Sequence, residues 1–173
     1  MNKLKIIVAP DTRLNQISKN VISIDKDVKL TLDKMLECMY ESNGIGLAAP
    51  QVGILKRLVV VDCSDKKNKK KPLKLINPEI VKFSNRLAEF EEGCLSLPTQ
   101  FALVKRPEQV KINFIDEAGN PCTNTFEGLE ATCIQHEIDH LNGKLFVDHI
   151  SKLKKSIILK KLQKYKKKNQ NNV

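Results

Sequence analysis

The stretch QHEIDHLNG, residues 135–143, constrains this chain more than any other. Histidines at i and i+4 lie one above the other on an α-helix, so His136 and His140 can aim both imidazoles at one ion, with Glu137 directly after the first. Leu129, Cys133, His136 and His140 share roughly one face, while Ala131, Ile134, Ile138 and Leu141 occupy another, so little of this helix suits water. It is expected to be buried. Two core histidines held by hydrogen bonds are the plain alternative. A metal satisfies such buried polar groups directly, and His-Glu-x-x-His on a helix carries a specific hydrolytic mechanism.

Two histidines hold an ion poorly, and catalytic zinc and iron sites usually take three protein ligands and leave a position for water. One zinc-protease pattern, H-E-x-x-H-x-x-G-x-x-H, fits through Gly143, but its last position falls on Phe146, and His149 comes three residues too late. Asp148 and His149 could still reach back after a turn. Cys94 in EEGCLSLP is the better candidate, because Gly93 lets the backbone turn closely while Leu95 and Leu97 anchor the segment and leave the thiol facing a buried ion. The cysteines (Cys38, Cys63, Cys94, Cys122, Cys133) form an odd set without the spacing of a disulfide scaffold, which favours free thiols or metal ligands in a reducing compartment.

The remaining sequence reads as one α+β domain. At 173 residues, 41% hydrophobic and 29% charged, the chain is long enough for one sizeable core. The N-terminal apolar run IIVA is broken by Pro10 and Asp11, which suits neither a signal peptide nor a membrane span and points to the cytoplasm. Helical spacing of Val28, Leu32, Met35, Leu36, Met39 and Tyr40 predicts a first helix, stopped by Ser42-Asn43-Gly44. Strands are predicted at 54–62, at 73–83 around an Asn77-Pro78 break, at 102–105, and as a hairpin of 110–116 with 122–127. The segment DKKNKKKP, 65–72, reads as a charged surface loop. The histidine helix follows Gly128 and stops at Asn142-Gly143. Strands without alternating helices predict antiparallel sheets packed around the buried helix, with a further helix at the C-terminus.

The segment GIGLAAPQ, 44–51, matches a short dinucleotide fingerprint, yet it follows a helix instead of a strand and Pro50 forbids the helix that should come next. Its small side chains instead allow a peptide backbone to lie close and pair, up to the polar amide of Gln51. Together, GIGLAAPQ, EGCLS and QHEIDHLNG, in this order and at these intervals, resemble the three motifs of the peptide deformylases, and the resemblance runs from PDTRL to LFVDHIS. It implies that Cys94, His136 and His140 are metal ligands, that Glu137 is the acid/base, and that Gln51 and the backbone N–H of Leu95 face a developing oxyanion. It implies one divalent ion, Fe(II) foremost, with Zn(II) or another divalent ion able to occupy the site. The substrates implied are N-formyl-methionyl peptides and nascent chains, which lose their formyl group. A methionine-sized pocket is implied with walls of Ile45, Leu129, Thr132, Cys133 and His136, Glu92 near its mouth, and Gly46 also substrate-binding. Many relatives carry an arginine shortly after the cysteine motif, where this chain has Gln100-Phe101; Phe101 is expected to stack on the substrate instead.

Nine lysines and no acid fall within residues 151–173, so the tail carries nine of the chain's ten net positive charges. The division expected is a catalytic domain at 1–150 and a basic C-terminal helix and tail at 151–173, in a monomer with no membrane contact. Leu153, Ile157, Ile158 and Leu162 suggest that the first turns pack on the domain. The lysines beyond read either as a solvated, fraying end or as a contact to ribosomal RNA. Two other classes remain open: a zinc endoprotease using Asp148 or His149, and a noncatalytic ribosome-binding module with a structural metal.

Overall fold

The carboxylate of Asp25 accepts from the Val28 N–H at 2.8 Å and starts helix α1, Lys26–Glu41. Such a cap satisfies one of the four N–H groups a helix start leaves free. Val28, Leu32, Met35 and Met39 are buried, as the spacing predicts, and the chain turns away through Ser42 and Asn43, the latter at φ 56°. The computed structural model describes residues 3–64 and 69–170. Positions 65–68 of the predicted charged loop and the last three residues of the tail lie outside the described residues.

The strands are β1 (Gly46–Ala48), β2 (Leu58–Val61), β3 (Leu73–Phe83), β4 (Leu87–Cys94), β5 (Leu97–Pro107), β6 (Gln109–Ile115) and β7 (Pro121–Glu127). They form an antiparallel five-stranded sheet of order β1-β2-β3-β6-β7 and a separate hairpin of β4 with β5. The run LVVV of β2 is buried on both sides, and its alternation sorts the core. Leu58 and Val60 pack with Leu32, Met35 and Met39 of α1. Val59 and Val61 pack with Ala131, Ile134, Ile138 and Leu141 of helix α2, Gly128–Leu141. The histidine helix thus lies beneath the sheet, as predicted, with 10 of its 14 residues buried.

Several expectations need correction. Only Leu58–Val61 of the predicted strand 54–62 is a strand; the Ile54 and Arg57 N–H groups bond instead to Ala49 and Lys19 carbonyls. Asn77-Pro78 does not interrupt β3: Asn77 takes φ 51°, the register slips between Ile76 and Glu79, and the Asn77 amide grips both backbone groups of Val21 at 2.8 Å. Such a bulge absorbs the irregular pair without ending the strand. Segment 87–94 is a strand that the sequence reading did not anticipate, and β5 extends well beyond 102–105 in both directions. Within GIGLAAPQ only Gly46–Ala48 is a strand, followed by a 3-10 turn at Ala49–Val52 that carries Gln51.

Helix α2 ends at Leu141 and the chain turns through Gly143, whose φ of +71° and position, where an added Cβ would stand 2.6 Å from the Asn15 carbonyl oxygen, admit only glycine without strain. Leu145, Phe146 and Val147 then join Leu97 and Val104 of the hairpin in a third apolar cluster, onto which helix α3, Lys152–Gln170, lays Ile158 and Leu162. Leu153 and Ile157, expected on that face, are 72% and 46% exposed, and Leu159 is the half-buried neighbour. On the same helix Lys155 pairs with Asp148, and the Lys166 ammonium donates to the Pro10 carbonyl at 2.7 Å. The helix continues through the stretch read as fraying. No described helix is long and apolar enough to cross a membrane.

Candidate active site

Strand alternation decides what β4 and β5 offer to α2. In β4 the outward residues are Leu87, Glu89 and Glu91, which leaves Glu92 and Cys94 on the inward side, two residues apart. The bulge between Gly93 and Cys94 lets the chain reverse to Leu97. On α2 the i, i+4 spacing stacks His136 and His140 beneath that edge. Cys94 Sγ lies 3.2 Å from His140 Nε2, which is 3.2 Å from His136 Nε2, and the three ligand atoms all fall within 4.8 Å of one another. Donors around a tetrahedral ion at metal–ligand distances of ~2.0–2.3 Å stand roughly 3.3–3.7 Å apart, so this triangle fits one cation. Three lone-pair donors this close repel one another unless a proton or a cation lies among them.

The imidazole of His136 is oriented from behind. Its Nδ1 meets Glu92 Oε2 at 2.9 Å, an arrangement that leaves Nε2 as a lone-pair donor when Nδ1 carries the proton. Glu92 is in turn gripped by Arg106, with Nε at 2.5 Å and Nη2 at 3.0 Å, and Arg106 Nη1 reaches Asp139 at 2.8 Å. Burial works to raise the Glu92 pKa, and the hydrogen bonds from His136 and Arg106 overcome it and hold the carboxyl below its ordinary value. His149 ends the chain at 2.7 Å from Asp139, and Asp148 is engaged by the Leu145 N–H and by Lys155. Neither belongs to the donor triangle, which removes the ligand set proposed for the protease reading. The sequence reading missed Arg106 and Asp139. A signal exists for Arg106: the alternation of β5 puts Val104 and Arg106 inward, and an inward cation demands carboxylates.

Glu137 is 4% exposed, and its Oε2 has no hydrogen-bond partner among the described residues. Desolvation pushes its pKa up to about 7, with the charge of His136 working against the rise. The carboxylate fits because residue 46 is glycine: an added Cβ would stand 2.5 Å from Glu137 Oε1 and 2.7 Å from Cys133 Sγ. Gly46→Ala is therefore expected to fold while formate release falls ~10-fold or more, because a misplaced catalytic group costs rate steeply. Equal rates for the variant and the parent would show that the carboxylate position tolerates this crowding. Gln51 is fixed from the other side. Its Oε1 accepts from the Ala48 N–H at 2.8 Å, which leaves the amide nitrogen facing Cys94 Sγ at 3.4 Å and Ser96 Oγ at 3.3 Å.

These groups border a cleft of about 450 Å³. Ile45, Gly46, Gln51, Glu92, Leu95, Leu129, Thr132, Cys133 and His136 all line it, together with Cys94 and Glu137, while His140 lies deeper at 0% exposure. Glu92 sits within the wall, 6% exposed and bound to Arg106, instead of at an open mouth. Phe90, Asn43 and Thr99 line the cleft as well and were not foreseen. Phe101 is 62% exposed, and its ring lies over Gly93, where an added Cβ would come within 2.5 Å of it.

An α+β domain that gathers three soft or borderline donors, the two histidines buried, beside a buried carboxylate whose Oε2 has no partner among the described residues is suited to hydrolysis with a bound cation, and metal-dependent hydrolases are the class so defined. The comparisons narrow it: residues 3–156 match the family of polypeptide deformylases, and the chain belongs to that family. A peptide deformylase of Cellvibrio japonicus is 48% identical over 164 residues, covering 95% of this chain and 96% of that protein. One of Rhizobium meliloti is 46% identical over 159 residues, covering 92% and 91%. Among solved structures, a deformylase from Legionella pneumophila superposes with TM-score 0.88 at 45% identity, covering 96% of each chain. One from Ehrlichia chaffeensis in complex with actinonin gives TM-score 0.90 at 37% identity, covering 95% of this chain and 98% of that one. The chain is accordingly an enzyme that removes the N-terminal formyl group from newly made proteins.

Proposed function

We propose that Cys94, His136 and His140 hold one divalent cation, with Fe(II) the preferred ion and Zn(II) an alternative, and that Glu137 moves the protons of formamide hydrolysis. The observation that carries this reading is the convergence of three ligand atoms beside a buried carboxylate whose Oε2 lacks a partner. When bound, the cation supplies Lewis acidity and a lowered water pKa. Glu137 takes the proton of the attacking water and passes it to the leaving amine, which yields formate and a free amino terminus. The Gln51 amide and the Leu95 N–H stabilise the charge that forms on the formyl oxygen, each typically worth ~3–4 kcal/mol. Ala48 holds the Gln51 amide in donating orientation before substrate arrives. Ile45, Leu129, Thr132 and Cys133 receive the methionine side chain, Gly46 lets the substrate backbone lie close, and the exposed ring of Phe101 covers the residues that follow.

Assaying one preparation for formate release from a formyl-Met peptide and for cleavage of an internal peptide bond tests the reading. Formate alone supports it, and internal cleavage without formate overturns it. We read the enzyme as a cytoplasmic monomer in which residues 1–150 carry catalysis and the basic 151–173 segment contacts the ribosome, where formylated chains emerge. Truncation after Gln163 keeps Ile158 and Leu162 in the third apolar cluster, so folding and formate release are expected to match the full chain. Ribosome binding is expected to weaken and to lose part of its salt dependence, because each lysine on a phosphate releases counterions. Equal affinity of both forms at low salt would leave residues 164–173 as a solvated end.

A further inference from the structure

The face of α2 turned away from the metal-ligand cluster borders a second cleft, of about 930 Å³, where Gln135, Ile138, Asp139 and Asn142 form the floor. Arg57, Lys105 and Lys144 stand in its walls, and none of them belongs to an ion pair among the described residues. The guanidinium of Arg57 donates only to neutral oxygens, Asn142 Oδ1 and the Pro78 carbonyl, each at 2.9 Å. Desolvation lowers its pKa while Glu79 opposes the shift, as expected of a cation partly withdrawn from water. Asp139 shares Arg106 with Glu92, so the four cations Arg57, Lys105, Lys144 and Arg106 meet three carboxylates, Glu79, Asp139 and Glu92, an excess of one positive charge without counting histidines. Outside the tail the chain is nearly neutral, and this excess is therefore not a general property of its surface.

A second feature of the walls is Ser18. It is 4% exposed, its backbone N–H is satisfied by the Leu141 carbonyl at 2.8 Å, and its hydroxyl has no hydrogen-bond partner among the described residues. That hydroxyl oxygen has almost no accessible surface, so an occupant of the cleft reaches the cations and not this group. At the rim, Ile17 and Phe83 are 73% and 53% exposed and give the cleft an apolar ledge beside its cations.

We propose that this cleft binds a small phosphomonoester, its phosphate held by Arg57, Lys105 and Lys144 and its carbon portion resting on Phe83 and Ile17. A phosphomonoester carries close to two negative charges at neutral pH and can meet all three cations that lack an ion pair, where a carboxylate brings only one charge. Lysines meet phosphate as point charges and arginine as a fork of donors, so the three cations need no common geometry. The volume admits a ligand of nucleotide size. Arg106 lines the floor and grips Glu92 on its far side, so an occupant would sit one ion pair removed from the partner of His136.

The test uses the full-length, zinc-loaded enzyme and NMR titrations at constant ionic strength with AMP, inorganic phosphate and adenosine. AMP and phosphate are expected to shift the amide signals of Ser18, Lys105 and His149 saturably, and adenosine at the same concentration is expected not to. Lys105→Gln combined with Lys144→Gln should weaken AMP binding by ~10-fold or more while formate release stays at the parent rate. Substituting Lys160, Lys161, Lys167 and Lys168 by glutamine should leave the binding intact. The proposal fails if AMP produces no saturable shift up to about 10 mM, an affinity weaker than ~3 kcal/mol. It also fails if the tail variant abolishes binding and the cleft variant does not. Shifts confined to Gly46, Cys94 and His136 would place the phosphate on the zinc and overturn it too.

Discussion

Replacing Glu137 by glutamine is expected to lower formate release by ~100-fold or more while the fold and the bound metal stay as they are. Glutamine keeps the volume that the gap at Gly46 accommodates and one carbonyl oxygen, but it has no basic site. In the parent enzyme, burial pushes the Glu137 carboxyl up to about 7, and a cation on the adjacent ligands would pull it down again. The two influences leave a carboxylate whose affinity for a proton suits transfer near neutrality, and that property is what the substitution removes. Metal content and formate release must be measured on the same preparation. If the metal disappears with the activity, Glu137 is a ligand and the division of roles proposed above is wrong.

Cys94→Ala is expected to lose most of the metal and with it the activity, whereas His149→Ala keeps both. The thiol stands 3.2 Å from His140 Nε2, and no other described residue completes the triangle. His149 Nε2 is occupied by Asp139 at 2.7 Å, at the outer end of a chain of ion pairs. Cobalt substitution gives an independent reading: thiolate ligation produces a sulfur-to-metal charge-transfer band in the near ultraviolet, which Cys94→Ala should lack. Metal retained by Cys94→Ala and lost by His149→Ala would restore the protease type of ligand set.

The histidine helix was legible in the sequence because two independent patterns coincide on it, an apolar composition on nearly every face and a pair of donors at helical spacing. The helix α1 and the β6–β7 hairpin were legible for the ordinary reason that periodicity and turn residues agree. The β4–β5 hairpin was not. Its outward positions Leu87, Phe101 and Leu103 are apolar and 59–62% exposed, while its inward positions include Glu92, Cys94 and Arg106, so the alternation runs against the rule that apolar means inside. Chemistry that must face a buried site inverts the pattern by which strands are recognised. Cys94 could be proposed from its local motif, and the resemblance to a known family supplied its pairing with the histidines. The alternation of β5 offered a signal for Arg106, but its pairing with Glu92 and Asp139 could not be proposed, since Glu92 lies on a strand that periodicity did not reveal. On α3 the error was smaller, one position of rotation, because four apolar side chains among many lysines do not determine which of two adjacent stripes faces the domain.

The buried run of charges through Glu92, Arg106 and Asp139 has a consequence for how this sequence can drift. Arg106 is 4% exposed and answers two carboxylates at once, so its loss takes the shared cation from both Glu92 and Asp139 in a medium that solvates charge badly. Losing either carboxylate leaves Arg106 with the other alone, so each single change alters the charge balance of the set. Across descendants of this chain, positions 92, 106 and 139 are therefore expected to move as a set or stay fixed as a set, even though two of them, Arg106 and Asp139, do not line the cleft where the formylated chain is received.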